Sequence, residues 1–136
     1  MFNSGLRPYQ LAPLDRGCVN TIVFDASTQA NCESPEVPDS KTNKKLYFTV
    51  KTQPWDDVAD DSDAIFKILG TVPNPTDEPG RVVFNISSTQ SYIDPTIPYY
   101  YDIVQTDIDG SNPERLAIGS FSVIAGANNA QAGGGA

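Results

Sequence analysis

Short runs with a period of two constrain this chain most. In "LYFTVKTQ" (Leu46 to Gln53), Leu46, Phe48 and Val50 share one side, while Tyr47, Thr49 and Lys51 share the other. An extended strand with one buried face satisfies that pattern and a helix does not. "RVVFNIS" (Arg81 to Ser87) repeats it, with Val82, Phe84 and Ile86 inward. In "YYYDIVQTD" (Tyr99 to Asp107), Tyr99, Tyr101 and Ile103 fall on one face, and Tyr100, Asp102 and Val104 on the other. The next strand, "RLAIGSFSVI" (Arg115 to Ile124), has Gly119 to leave space and Phe121 and Val123 to refill the core face. "CVNTIVFDAS" (Cys18 to Ser27) and "AIFKILG" (Ala64 to Gly70) are further strand candidates, rich in β-branched residues.

The segments between these runs are rich in turn formers, and the chain holds 11 prolines and 10 glycines. No segment carries a long helical period and no internal repeat is visible. Roughly six to seven short strands with such turns predict an all-β fold, an antiparallel β-sandwich, rather than βαβ units. The chain of 136 residues suffices for one domain with a sizeable core.

Three regions flank or interrupt the strands. Residues 1–17 read as an extended N-terminal arm, because Pro8 and Pro13 block a continuous helix. The arm holds Phe2, Leu6, Tyr9, Leu11 and Leu14, apolar groups that must pack on their own domain or on a partner. These five are expected to bind a partner. Thr28 to Lys45 reads as a polar loop, and Ser88 to Pro98 as a crossing segment with one helical turn near Thr89 to Ile93. Residues 18–124 then form the sandwich, and 125–136 a Gly/Ala-rich tail.

Composition removes several chemistries. The chain contains no histidine, so Ser-His-Asp, Cys-His and His-based zinc arrangements are excluded. Two cysteines, Cys18 and Cys32, cannot complete a four-ligand structural zinc site. They are expected as free thiols in a cytoplasm, with a bridge as the alternative outside a cell. No Gly-rich phosphate loop occurs. A net charge of −8 argues against nucleic-acid binding, and "KTNKK" (Lys41 to Lys45) reads as a solvated loop. No apolar run approaches the roughly 18 residues of a membrane helix, and no signal peptide is read at the N-terminus. No cofactor, metal or catalytic residue is expected.

Three features remain as candidate contacts. The turn bearing Asp107, Asp109 and Gly110 superficially matches a calcium loop, but its glycine comes too early and strands flank it. It reads as a hairpin turn. Asp56, Asp57, Asp60, Asp61 and Asp63, beside Trp55, read as a solvated acidic loop; a cation or a basic partner is the alternative. Tyr100, on the face opposite Tyr101, is the candidate for a protein or carbohydrate contact.

The segments "LYFTVK", "DDSDAIFKILG", "GRVVFNIS", "YYYDIVQTDIDG" and "LAIGSFSV" form an ordered set. From about Lys45 to Ile124 this set resembles the immunoglobulin-like N-terminal domain of siphophage upper baseplate proteins, and related small head and tail proteins of tailed bacteriophages. The resemblance implies an immunoglobulin-like sandwich and a non-enzymatic virion structural role, with assembly in the host cytoplasm. The partners implied are the major capsid protein or other virion proteins, within a homo-oligomer or lattice. The sequence departs from the baseplate plan, because only a short Gly/Ala tail follows the sandwich. An arm in front of a lone sandwich fits a capsid decoration (cement) protein better. A tail or baseplate component anchoring fibres is the alternative, and a carbohydrate-binding module using Tyr100, Tyr92 and Trp55 is a further one.

Overall fold

A computed structural model describes residues 7–8, 11–28, 33, 37–53 and 63–125. The described residues are all-β, with no helix. In chain order the strands are β1 (Arg7–Pro8), β2 (Leu14–Asp15), β3 (Asn20–Asp25), β4 (Ser27–Thr28), β5 (Val37–Pro38), β6 (Lys44–Lys51), β7 (Phe66–Leu69), β8 (Arg81–Ile86), β9 (Tyr99–Asp107), β10 (Glu114–Phe121) and β11 (Val123–Ile124). The order β1-β10-β9-β6-β7 makes one five-stranded sheet. Across the core lies the antiparallel pair β3–β8, and two-stranded pairs β11–β2 and β4–β5 complete the fold. The result is a sandwich-like arrangement of two layers.

The period-two runs form the strands for the expected reason. Leu46, Phe48 and Val50 on β6, Val82, Phe84 and Ile86 on β8, and Tyr99, Tyr101 and Ile103 on β9 are all buried. Phe48 joins the layers: its ring centroid lies 5.2 Å from that of Tyr101 in its own sheet and 5.6 Å from that of Phe84 on the facing pair. Phe121 continues the aromatic row, 5.7 Å from Tyr99 and 6.3 Å from Tyr101. Gly119 is needed for that row. A Cβ there would come within 2.8 Å of the Tyr101 ring.

The antiparallel expectation holds for the long strands and needs correction at the N-terminal segment. β1 runs parallel to β10, with Arg7 opposite Ala117, and β2 runs parallel to β11, with Leu14 opposite Val123. Backbone N–H groups of Leu14 and Arg16 donate to the carbonyls of Ser122 and Ile124, each at 3.0 Å. The chain then turns at Gly17, whose φ of 77° favours glycine. The Asn20 side chain fixes this turn, accepting from the Asp15 N–H and donating to the carbonyls of Asp15 and Cys18.

Two other regions differ from the sequence expectation. The polar stretch after β3 contains the β4–β5 pairing, Ser27 opposite Pro38. Lys41, within "KTNKK", is not solvated but 4% exposed. Its Nζ donates to Gln105 Oε1 at 2.8 Å and meets Asp39 Oδ2 at 3.1 Å. In the crossing segment after β8, Ser87 and Gln90 exchange reciprocal side chain–backbone bonds, a capping-box geometry at a turn. The N–H of Ser91 donates to the Ser87 carbonyl, and its buried hydroxyl donates to the Cys18 carbonyl at 2.7 Å.

Candidate functional site

The β9–β10 turn is built from its own acids. The Asp107 carbonyl accepts from the Gly110 N–H at 2.8 Å, and the Asp107 N–H donates to the Ser111 carbonyl at 2.9 Å. Gly110 has a φ of 88° and Asn112 a φ of 54°, both in the left-handed region that such tips use. Asp109 Oδ1 accepts from the Ser111 N–H and hydroxyl, at 2.9 and 2.6 Å. Asp107 accepts from Asn112 Nδ2 at 2.8 Å and from Lys44 Nζ at 2.7 Å. These bonds favour the charged carboxylates. The hydrogen bond from Lys44 holds Asp107 below the usual carboxylate range, and the Ser111 hydroxyl does the same for Asp109. Both carboxylates therefore serve the turn. Among the described residues, no three His, Cys, Asp or Glu side chains converge as a metal site.

The predicted partner residues of the N-terminal segment are divided by the structure. Phe2, Leu6 and Tyr9 lie outside the described residues. Leu11 is half-buried against the core, and Leu14 is 3% exposed within it. Leu14 must be removed from the partner-binding set, since a side chain buried in its own domain has no surface to offer. A groove runs between the segment 11–14 and residues 20–23 of β3.

Tyr100 sits on the outer face of the five-stranded sheet, opposite Lys51 on β6 and Ser120 on β10. Sequence reasoning puts Tyr100 and Val104, and Tyr47 and Lys51, on the outer sides of their strands, but does not bring the strands together. Register puts Leu69, Tyr47 and Val104 side by side across β7, β6 and β9. Leu69 is 52% exposed, and the other two are partly exposed. Arg115 continues the row on β10, opposite Val104. Lys45 lies in the row beyond, opposite Thr106, and Lys67 in the row before, opposite Thr49. Lys67 Nζ stands 4.7 Å from the Tyr47 ring centroid, a cation–π contact. Arg115 Nε donates to Asp102 Oδ2 at 3.2 Å. Alternation alone assigns each side chain to this face. Only cross-strand register assembles them into a patch.

Of the remaining candidates, Tyr92 carries Arg16 over its ring at 4.3 Å. Asp56, Asp57, Asp60, Asp61 and Trp55 lie outside the described residues, while Asp63 pairs with Lys51 at 2.9 Å. Cys18 is an exposed free thiol, and Cys32 lies outside the described residues.

At the entrance to β9 the Tyr99 hydroxyl donates to the Asp94 carbonyl at 2.7 Å. Burial pushes the Tyr99 phenol up, assisted by the Asp94 charge. Asp94 in turn is held low by the hydroxyl and N–H of Thr96. No protein-family model matches the chain, and no curated protein matches it either.

Proposed function

We propose that this chain is a non-enzymatic structural protein of a bacteriophage virion, an immunoglobulin-like sandwich that binds the outer capsid lattice as a decoration or cement protein. The observation that carries the fold half is the Tyr99–Asp94 bond. In immunoglobulin-type sandwiches, a tyrosine near the start of the sixth strand bonds back to backbone a few residues upstream in this way. The partition of strands supports the same reading. β6, β9 and β10 lie together in one sheet and β3 pairs β8 in the other, as strands C, F, G and B, E do in that fold.

The virion half rests on the ordered resemblance described above, whose segments occupy β6 to β11. Binding, not turnover, is the mechanism: weak contacts repeated over a lattice gain strength by multivalency. The titratable side chains support it, because Asp107, Asp109 and Asp94 are engaged in turns, and Asp25 and Asp63 in ion pairs.

The experiment is quantitative mass spectrometry of purified particles, with electron microscopy to place the protein. Copies matching the capsid subunits, spread over the shell, are expected. Confinement to a single vertex would transfer the protein to the tail or baseplate reading. Absence from particles would overturn the virion reading altogether.

A further inference from the structure

One dipeptide of this chain is chemically labile. Asp109–Gly110 is its only Asp-Gly, and no Asn-Gly occurs. In a flexible chain the amide nitrogen after such an aspartate attacks the side-chain carboxyl carbon, because glycine has no side chain to block the approach. A C–N bond forms, and the amide proton and the carboxyl hydroxyl leave together as water. The succinimide ring that results takes up one water at either carbonyl. Opening at one restores aspartate. Opening at the other gives isoaspartate, whose side-chain methylene then lies in the main chain.

The β9–β10 turn opposes each requirement of that reaction. The nucleophile is engaged, because the Gly110 N–H donates to the Asp107 carbonyl at 2.8 Å. The electrophile is engaged as well. Asp109 Oδ1 accepts from the Ser111 N–H at 2.9 Å and from the Ser111 hydroxyl at 2.6 Å. These bonds draw the carboxylate towards the residue beyond the attacking nitrogen. They also favour its charged form, whereas water leaves only from the protonated acid. Shielding from solvent plays no part, since Asp109 and Gly110 are both exposed.

We propose that Asp109–Gly110 is a latent isoaspartate site that the folded turn keeps closed, Ser111 holding the carboxylate and the Asp107 carbonyl holding the amide. Opening of the turn releases both groups together. Isoaspartate then prevents reclosure, because the added main-chain atom moves the Gly110 N–H away from the Asp107 carbonyl. The modification therefore records past opening of the β9–β10 tip. It stands independently of the virion reading, because it needs only the isolated protein.

Peptide mapping with electron-transfer fragmentation tests it, by following isoaspartate at Asp109 over time at neutral pH. The full chain is compared folded and unfolded in urea at one temperature. The folded wild type should isomerise about tenfold or more slowly, since several hydrogen bonds must open and one such bond is worth up to about tenfold in rate. Ser111→Ala deletes the hydroxyl bond. It should react about fivefold faster than the wild type when folded, and at the wild-type rate when unfolded. Ser111→Thr keeps a hydroxyl and should stay slow. Equal rates for the folded and unfolded wild type overturn the proposal. So does a folded Ser111→Ala chain as slow as the wild type, or a folded Ser111→Thr chain as fast as Ser111→Ala. Circular dichroism checks that the variants fold; if they do not, the wild-type comparison decides alone, because it needs no variant. Failure here leaves particle binding untouched, and a protein absent from particles can still guard this bond.

Discussion

At one end of the β6–β9 ladder Val50 lies opposite Tyr101, and the space is filled by Phe48, Phe66 and Phe121. At the other end Lys44 lies opposite Asp107, and Lys41, Gln105, Asp39 and Glu114 form a polar chain beside it. Continuous backbone pairing joins the two ends, yet different forces hold them. The first depends on shape and on apolar area removed from water, which tolerates changes of pH and salt. The second depends on directed bonds whose partners must all be present, because an unmatched buried polar group costs more than a matched pair contributes.

Substitutions should separate the two ends, and the largest effect belongs to the dry one. Phe48→Ala empties the space between the layers and should cost about 3–5 kcal/mol in denaturant unfolding. A loss under 1 kcal/mol would show that the layers are not packed on Phe48. At the polar end, Lys41→Met keeps the bulk and leaves Gln105 Oε1 without its donor, a cost of about 1–3 kcal/mol. The double variant Lys41→Met/Gln105→Leu removes both partners and should recover most of that loss. Non-recovery would mean that Lys41 acts through Asp39 instead. Tyr99→Phe keeps the ring against Phe121 and deletes the hydroxyl bond to Asp94, so about 0.5–1.5 kcal/mol is expected, read as a lowered denaturation midpoint.

The smallest effect is that of pH on the Lys44–Asp107 pair. Asp107 is shifted below its ordinary 3.8. Its contribution is therefore complete above that value and fades as pH falls through the lower folded one. Lys44 is shifted above its ordinary 10.5, chiefly by its hydrogen bond to Asp107. Its share is complete below 10.5 and is lost as pH rises through the higher folded value. Both groups are at the surface, so salt should flatten the two limbs. Acid unfolding of Asp107→Asn compared with the wild type measures the first limb. Identical curves would show that the pair adds nothing.

The dry end was legible in the sequence and the polar end was not. A strand with one buried face writes itself as alternation, so the pattern gives Tyr99–Asp107 the bounds it has in the sheet and turns Leu46, Phe48 and Val50 inward. Lys41 carries no local mark of burial. Its partner Gln105 is 64 residues away, and an ammonium group among polar neighbours reads as solvated until the loop is seen against the sheet. The parallel pairings of β1 and β2 escaped for a related reason. Two-residue strands are too short to show a period, and their partners lie near the far end of the chain. The row around Tyr47 is half legible: alternation assigns Tyr47 and Lys51 to the outer face, but the register that sets Leu69 and Val104 beside Tyr47 is a property of the folded sheet.

Because β1 and β2 run parallel to β10 and β11, the two outer ends of this pairing leave in opposite directions. Tension applied across residues 7 and 125 would slide the strands along each other. The bonds from Leu14 and Arg16 to Ser122 and Ile124 would then be loaded together. The β9–β10 hairpin, pulled at its two open ends, would unzip one bond at a time. Single-molecule extension along the two axes should therefore find a mechanically strong direction and a weak one, with the stronger resistance between the terminal strands.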